Sequence, residues 1–288
     1  MGREVRHRDS RAQGLVTRFL VTGATGFIGS AVLRRLRADD MEVVAPGSSE
    51  LNLLTATEDQ LARFVNEANV TCCIHCAWYT SHADYLVHQV NRDWLGASLR
   101  LAGACKGIRF VGLGTCLEYD LSAGEPCVED KTPLAPVTRY ARCKRDLFEA
   151  LTGDYAWARV FFVYGPGDRV GRLVPGMLEQ YSRGEQAGPK FGGLRRDYIH
   201  VDDLAGQIVR IARSQTQGGI NTGTGEAPTL SEIFEAGAGA LGRPELAQAN
   251  AETGDQPLLI QPDMARFEQE VGNLEARTIQ QGLRDLVR

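Results

Sequence analysis

Between Arg18 and Gly165, short apolar runs alternate with stretches whose apolar residues recur every three or four positions. Phe19, Leu20 and Val21 form the first run, and Ile28, Val32, Leu33 and Leu36 then mark one helical face. That pattern predicts strand, turn, helix. MEVVAP predicts a second strand. TATEDQLARFVNEAN predicts a helix in which Thr57 and Gln60 have the spacing of a capping box. VTCCIHCAW is apolar nearly throughout and predicts a third strand, buried on both faces. A long helix is expected from about Tyr85 to Cys105, with Val87, Val90, Leu95, Leu99 and Leu101 among its apolar positions. RFVGLGT then reads as a strand, the region from Tyr140 to Leu151 as a helix, and WARVFFVYG as one strand ended by GPG. Alternating strands and helices predict an α/β fold with a parallel sheet covered on both faces.

After Gly165 the pattern loosens, mixing glycine, proline and charge. A short strand at DYIHV, a helix from Asp202, a strand over Gly219–Thr222 and a helix opening at Thr229–Ser231 follow. The expected division is a loose polar tail over 1–17, a nucleotide-binding domain over 18–165, and a smaller mixed lobe over 166–288 that binds substrate. Residues 198–222 should pack back on the first domain.

Composition removes several function classes. The formal charge of −4 lacks the basic surplus of a general nucleic-acid binder. No apolar run approaches the ~20 residues of a membrane helix. The first residues are polar and basic, without the apolar core of a secretory signal. Seven cysteines include one C-x-x-C, Cys73 and Cys76, with no second pair to complete a zinc site. They read as small buried hydrophobes, and an odd number of unpaired thiols suits a reducing cytoplasm.

Candidate chemistry starts at TGATGFIG, where Gly23, Gly26 and Gly29 stand between a predicted strand and a predicted helix. Glycine permits a tight turn and a close approach of backbone to a pyrophosphate, and the helix N-terminus offers free N–H groups. This context marks a dinucleotide site of Rossmann type, a doubly wound parallel sheet. An NAD-specific site ends its second strand with a carboxylate on the ribose. Here Ala45, Pro46, Gly47, Ser48 and Ser49 stand there instead. NADPH is therefore expected over NADH, with Ser48 near the 2′-phosphate and Arg34 or Arg35 as the source of a guanidinium.

YARCK places Tyr140 and Lys144 on one helical face. A cation beside a phenol lowers its pKa and makes it a tunable acid or base. Taken alone, this spacing is too common to carry a role.

Together, TGATGFIG, IHCAW, Asn91, GTCLEYD, YARCK, RVFFVYGPG, RRDYIHVDDLA, PDMARFEQEVG and TIQQGL resemble, in order, the motifs of the extended short-chain dehydrogenase/reductase family. The likeness runs over roughly 18–286. It implies that Tyr140 is the acid/base, that Lys144 holds the nicotinamide ribose and lowers the phenol's pKa, and that Thr115 hydrogen-bonds the reacting oxygen. It implies cofactor contacts from Gly23, Thr25, Gly26, Phe27, Ile28, Gly29, Ser48 and Ala77, besides Tyr140 and Lys144. His75 and His200 read as structural.

Within the family, ELNLL, AWYT and GTCLEYD resemble ketoreductases of nucleotide-linked 4-keto-6-deoxy sugars. A 4,6-dehydratase would carry an Asp-Glu pair directly after the catalytic threonine, where this chain has Cys116 and Leu117, with Glu118 too late. An NAD-dependent epimerase remains an alternative, and a catalytically silent dinucleotide sensor a more distant one. The resemblance implies a nucleotide-diphosphate sugar substrate, with Arg196 and Arg172 on its diphosphate beside Thr115. Phe162 departs from an asparagine that touches phosphate in many members. A homodimer through the two helices that carry Asn91 and Tyr140 is also implied.

Overall fold

Leu20 faces one side of the central sheet while its neighbours Phe19 and Val21 face the other, as the two-residue period of a strand requires. They belong to β1 (Arg18–Thr22), the second strand of a six-stranded parallel sheet. The others are β2 (Glu42–Val44), β3 (Cys72–His75), β4 (Arg109–Thr115), β5 (Tyr155–Val160) and β9 (Gly218–Thr222), in the order β2-β1-β3-β4-β5-β9. This computed structural model describes residues 17–80, 84–273 and 276–287. The expected N-terminal tail, Thr17 apart, lies outside the described residues.

Two helices cover the face of Phe19 and Val21: α1 (Phe27–Ala38) and α6 (Val201–Arg213), through Val32, Leu36, Leu204 and Ile208. On the opposite face lie α2 (Glu58–Glu67), α3 (Asn91–Ala104) and α4 (Arg139–Ala150), through Leu61, Val65, Leu101 and Leu147. The fold is therefore the doubly wound Rossmann type that the alternation predicted. Thr57 and Gln60 form the expected capping box of α2. After β2 the chain crosses back past β1 to reach β3, so the strand order reverses at β1 and opens a crevice at the strand ends.

A third apolar cluster joins α5 (Leu173–Ser182), α7 (Leu230–Ala240) and α9 (Ile279–Leu286) around Tyr164, Met177, Ile233 and Leu283. Two small parallel pairs complete the structure: β6 (Phe162–Tyr164) with β8 (Tyr198–His200), and β7 (Arg195–Arg196) with β10 (Leu259–Ile260). The short helix α8 (Ala265–Glu270) packs against β9.

Two elements differ from the sequence expectation. The long helix begins at Asn91, not near Tyr85, and Val87 is exposed rather than on a core face. The buried Asn91 amide donates to the carbonyls of Tyr85 at 2.6 Å and His88 at 2.9 Å, which holds the preceding segment in turns. The apolar run WARVFFVYG is two strands, not one. β5 ends at Val160, Phe161 turns into a separate cluster with Cys116, Tyr119 and Ile260, and β6 pairs with β8 instead of β4. Strand propensity continues through this run, but its hydrogen-bonding partner changes.

Candidate active site

The glycine turn closes over β3. Gly23 has φ 68°, and a Cβ there would lie 2.7 Å from the backbone of Ala77. A Cβ on Gly29 would lie 2.1 Å from the Gly23 carbonyl oxygen, so the first turn of α1 can sit against the strand end only without side chains. Gly26 caps α1 with no side-chain hydrogen bond. The first N–H groups of that helix therefore face the crevice with the positive end of the helix dipole. A dinucleotide pyrophosphate fits this cradle by both shape and charge.

The crevice widens into a cavity of about 750 Å³. Gly23, Thr25, Gly26, Phe27, Ile28, Gly29, Ser48 and Ala77 line it, and so do Thr115, Tyr140, Lys144 and Arg172. Residues drawn from six separate stretches of sequence thus meet in one space. Pro46 and Gly47 also line it, with Ser48 and Ser49, and no carboxylate stands at the end of β2.

Three expected residues are not brought there. Arg196 is buried beside the cavity, and its guanidinium donates to the carbonyls of Arg195 at 2.8 Å and Leu258 at 3.1 Å. Its Nη1 thus ties β7 to the residue before β10, and Arg196 is not among the residues that line the cavity. Arg34 pairs with Asp202 at 2.7 Å and Arg35 with Asp39 at 3.1 Å, and neither lines the cavity. Arg169 and Asp168, which the sequence reading did not single out, line the cavity beside Arg172. Their one signal was position, directly after the GPG that ends the Phe162–Tyr164 stretch.

Thr115 ends β4, and the next three residues form a 3₁₀ turn. Its hydroxyl accepts from Leu117 N at 3.3 Å, and its own N–H donates to Glu118 Oε1 at 2.8 Å. Glu118 is fully buried, so it cannot reach a substrate.

Thr138 caps α4 through Ala141 N, and the first turns of that helix carry Tyr140 and Lys144. Lys144 is buried, and its ammonium donates to the Leu113 carbonyl at 2.7 Å. Burial pulls its pKa down to about 7, against the opposing pull of Glu118. Burial, joined by Tyr85 and Glu118, pushes the Tyr140 phenol up. The lowering expected from Lys144 is thus outweighed. Nζ lies 5.9 Å from the Tyr140 ring centre and is directed at Leu113, so desolvation prevails over attraction.

His75 bridges Thr22 Oγ1 at 2.7 Å and Ser98 Oγ at 2.8 Å, and burial pulls its pKa down to about 3. It is a neutral tie between β1, β3 and α3. His200 caps α6 by accepting from Asp202 N at 3.2 Å.

A family model described as the NAD dependent epimerase/dehydratase family matches residues 19–223. A UDP-glucose 4-epimerase of Mycolicibacterium smegmatis is 31% identical over 272 residues, 79% of this chain and 84% of that protein. A probable dTDP-4,6-dihydroxy-2-methyloxan-3-one 4-ketoreductase of Streptomyces antibioticus is 30% identical over 210 residues, 68% of this chain and 67% of that protein. Among solved structures, a UDP-N-acetylglucosamine 4-epimerase of Methanobrevibacter ruminantium shares the fold with a TM-score of 0.80 at 22% identity, covering 94% of this chain and 97% of that one. The glycine cradle, the Thr115–Tyr140–Lys144 cavity and a family match over more than half of the sequence lead to one assignment: the chain belongs to the NAD dependent epimerase/dehydratase family.

Proposed function

We propose that this protein reduces the 4-keto group of a nucleotide-diphosphate-linked 4-keto-6-deoxy sugar with NADPH. The observation that carries the reading is the shared cavity, with the glycine turn at one end, Thr115, Tyr140 and Lys144 along its wall, and Arg169 and Arg172 beside them. Bound in the glycine cradle, the dinucleotide supplies a hydride. The chain's own groups handle the oxygen. The Tyr140 phenol, held protonated by burial, donates its proton to the carbonyl oxygen as negative charge grows there. The Thr115 hydroxyl donates a hydrogen bond to the same oxygen. Lys144 holds the ribose hydroxyls and stabilises the phenolate left on Tyr140, which then recovers its proton from solvent. Arg172, half-exposed at the start of α5, suits a phosphate oxygen through its planar fork of donors. The missing carboxylate after β2 leaves room for a 2′-phosphate.

A dehydratase reading is disfavoured. Cys116 and Leu117 occupy the positions of its acid and base, and Glu118 is sealed against Arg159. The second reading is a sugar-nucleotide 4-epimerase, favoured by the identity with the mycobacterial relative. An epimerase oxidises and re-reduces one carbon and so retains its nicotinamide cofactor. Denaturing the purified protein and measuring the released dinucleotide separates the two. Little NAD is expected, whereas stoichiometric NAD would favour the epimerase.

The reading includes a homodimer built on α3 and α4. Leu99 on α3, and Val87 and Val137 just ahead of the two helices, are exposed. Light scattering showing only monomer at micromolar concentration would remove it. A cytoplasmic location is in keeping with seven free cysteines. No helix among the described residues is long and apolar enough to cross a membrane.

A further inference from the structure

Lys144 presents a physical problem that its hydrogen bond alone does not solve. Its ammonium is buried, yet the Leu113 carbonyl is its hydrogen-bond acceptor among the described residues, for three N–H donors. No carboxylate forms an ion pair with it among the described residues. Trp78 supplies the other contact: Nζ stands 3.8 Å from the centre of its ring. The rings of Trp157 and Tyr140 are farther, at 5.8 Å and 5.9 Å. A cation this close to an indole face is held by the ring's quadrupole, and more strongly where water is excluded.

The orientation of that face is itself determined. Trp78 Nε1 donates to Asn91 Oδ1 at 2.8 Å. Asn91 is buried, and its amide nitrogen is anchored on the Tyr85 and His88 carbonyls. The edge of the indole is thereby pinned to the start of α3, which leaves its face to Lys144. The same asparagine fixes the segment whose Tyr85 ring meets Tyr140 edge-on at 5.1 Å, while Trp78 meets Tyr140 edge-on at 6.3 Å.

The geometry points to Trp78 as a positioning residue: its indole face, set by Asn91, holds the Lys144 ammonium in place and in its charged form beside Tyr140. This inference rests on the reading of Lys144 and Tyr140 as the reacting machinery. The groups that face Lys144 leave the role to the ring. His75 on β3 is neutral, since burial pulls its pKa down to about 3, and Cys76 after β3 is a thiol pushed up to about 12. Tyr140, one turn earlier on α4, is a neutral phenol. Glu118 after β4 favours the charged lysine, but its carboxylate is engaged by Arg159.

The test starts from a readout that needs no turnover. Intrinsic fluorescence of the cofactor-free protein is followed from pH 5.5 to 9. A transition with a midpoint near 7 is expected, and it should vanish in both Trp78→Phe and Lys144→Met. Its persistence in either variant, or its absence from the parent protein, would overturn the assignment. The second readout is the pH dependence of turnover. Trp78→Phe retains an aromatic face and should keep the parent profile. Trp78→Leu removes the face and should move the limb set by Lys144 deprotonation about one pH unit toward acid. An unmoved limb in Trp78→Leu contradicts the inference. If fluorescence behaves as expected and no sugar nucleotide is turned over, Trp78 keeps its role and the proposed reaction fails alone.

Discussion

Arg159 and Glu118 form an ion pair inside the protein, Nε to Oε2 at 2.9 Å, with neither side chain more than 2% exposed. The carboxylate accepts only from donors. Trp157 Nε1 reaches both oxygens at 3.1 Å, and Thr115 N reaches Oε1 at 2.8 Å. The guanidinium lies over Tyr119 and Phe148 and donates to Tyr119 Oη at 3.1 Å. Burial pushes the Glu118 carboxyl up while Arg159 pulls it down. The pair ties the turn after Thr115 to β5.

Breaking that pair from one side should be costly, because an uncompensated charge is left buried. Glu118→Ala is expected to lower stability by about 3–5 kcal/mol in urea unfolding. The double change Glu118→Leu with Arg159→Met should recover much of the loss. A single change within about 0.5 kcal/mol of the parent, the range of an ordinary surface substitution, contradicts the account.

Two arginines that look alike in sequence should part in function. Arg172→Met should raise KM for the sugar nucleotide about tenfold or more with kcat little changed, as loss of a charge-assisted hydrogen bond requires. Arg196→Met should instead lower the unfolding midpoint, since its donors hold the Arg195 and Leu258 carbonyls. The reverse pattern would restore Arg196 to the substrate.

Lys144 should give stability a distinctive pH dependence. Its pKa in the folded protein is about 7, below the ordinary 10.5. Between those values the unfolded chain holds a proton that the native state lacks, so this group adds stability as pH rises from about 7 toward 10.5. Below about 7 both states are protonated and its contribution is flat. The stability of the parent relative to Lys144→Met should therefore grow over that window in urea titrations at several pH values. A difference that shrinks as pH rises contradicts a buried lysine near neutrality.

The cradle should be intolerant of a single methyl group. Gly29→Ala places a Cβ 2.1 Å from the Gly23 carbonyl oxygen, and the strand or helix must move. Dinucleotide affinity by calorimetry should fall at least tenfold. Gly239→Ala in α7, where nothing lies within 4 Å, is the control and should leave affinity intact.

The legible parts of the chain were those where local pattern and tertiary environment agree. Phe19–Val21 alternates between two buried faces, and Gly23 and Gly29 of TGATGFIG stand where only glycine fits, so sheet, crevice and cradle could be read from residue type and spacing. Thr115, Tyr140 and Lys144 could be aligned in order along the chain, and the fold brings them to one cavity. What escaped depends on distance across the fold. The helix boundary at Asn91 is set by a buried amide bonding backward to Tyr85, which periodicity does not record. The break at Phe161 reflects a change of pairing partner within an unbroken apolar run. The backbone contacts of Arg196 escaped because a motif names a residue without showing which carbonyls its guanidinium meets. The net rise of the phenol's pKa escaped because helical spacing reveals the neighbouring lysine and not the desolvation around the pair.

The central claim is carbonyl reduction by Tyr140, Lys144 and Thr115 on a nucleotide-linked keto sugar. Its most direct test is NADPH consumption by the purified protein with a panel of 4-keto-6-deoxy sugars linked to dTDP, GDP, CDP and UDP, with NADH run in parallel. The account predicts turnover of at least one of them with NADPH, and a loss of about 10²–10⁴-fold in Tyr140→Phe, the usual contribution of a positioned acid. No consumption with any of them, or undiminished turnover in Tyr140→Phe, would contradict it.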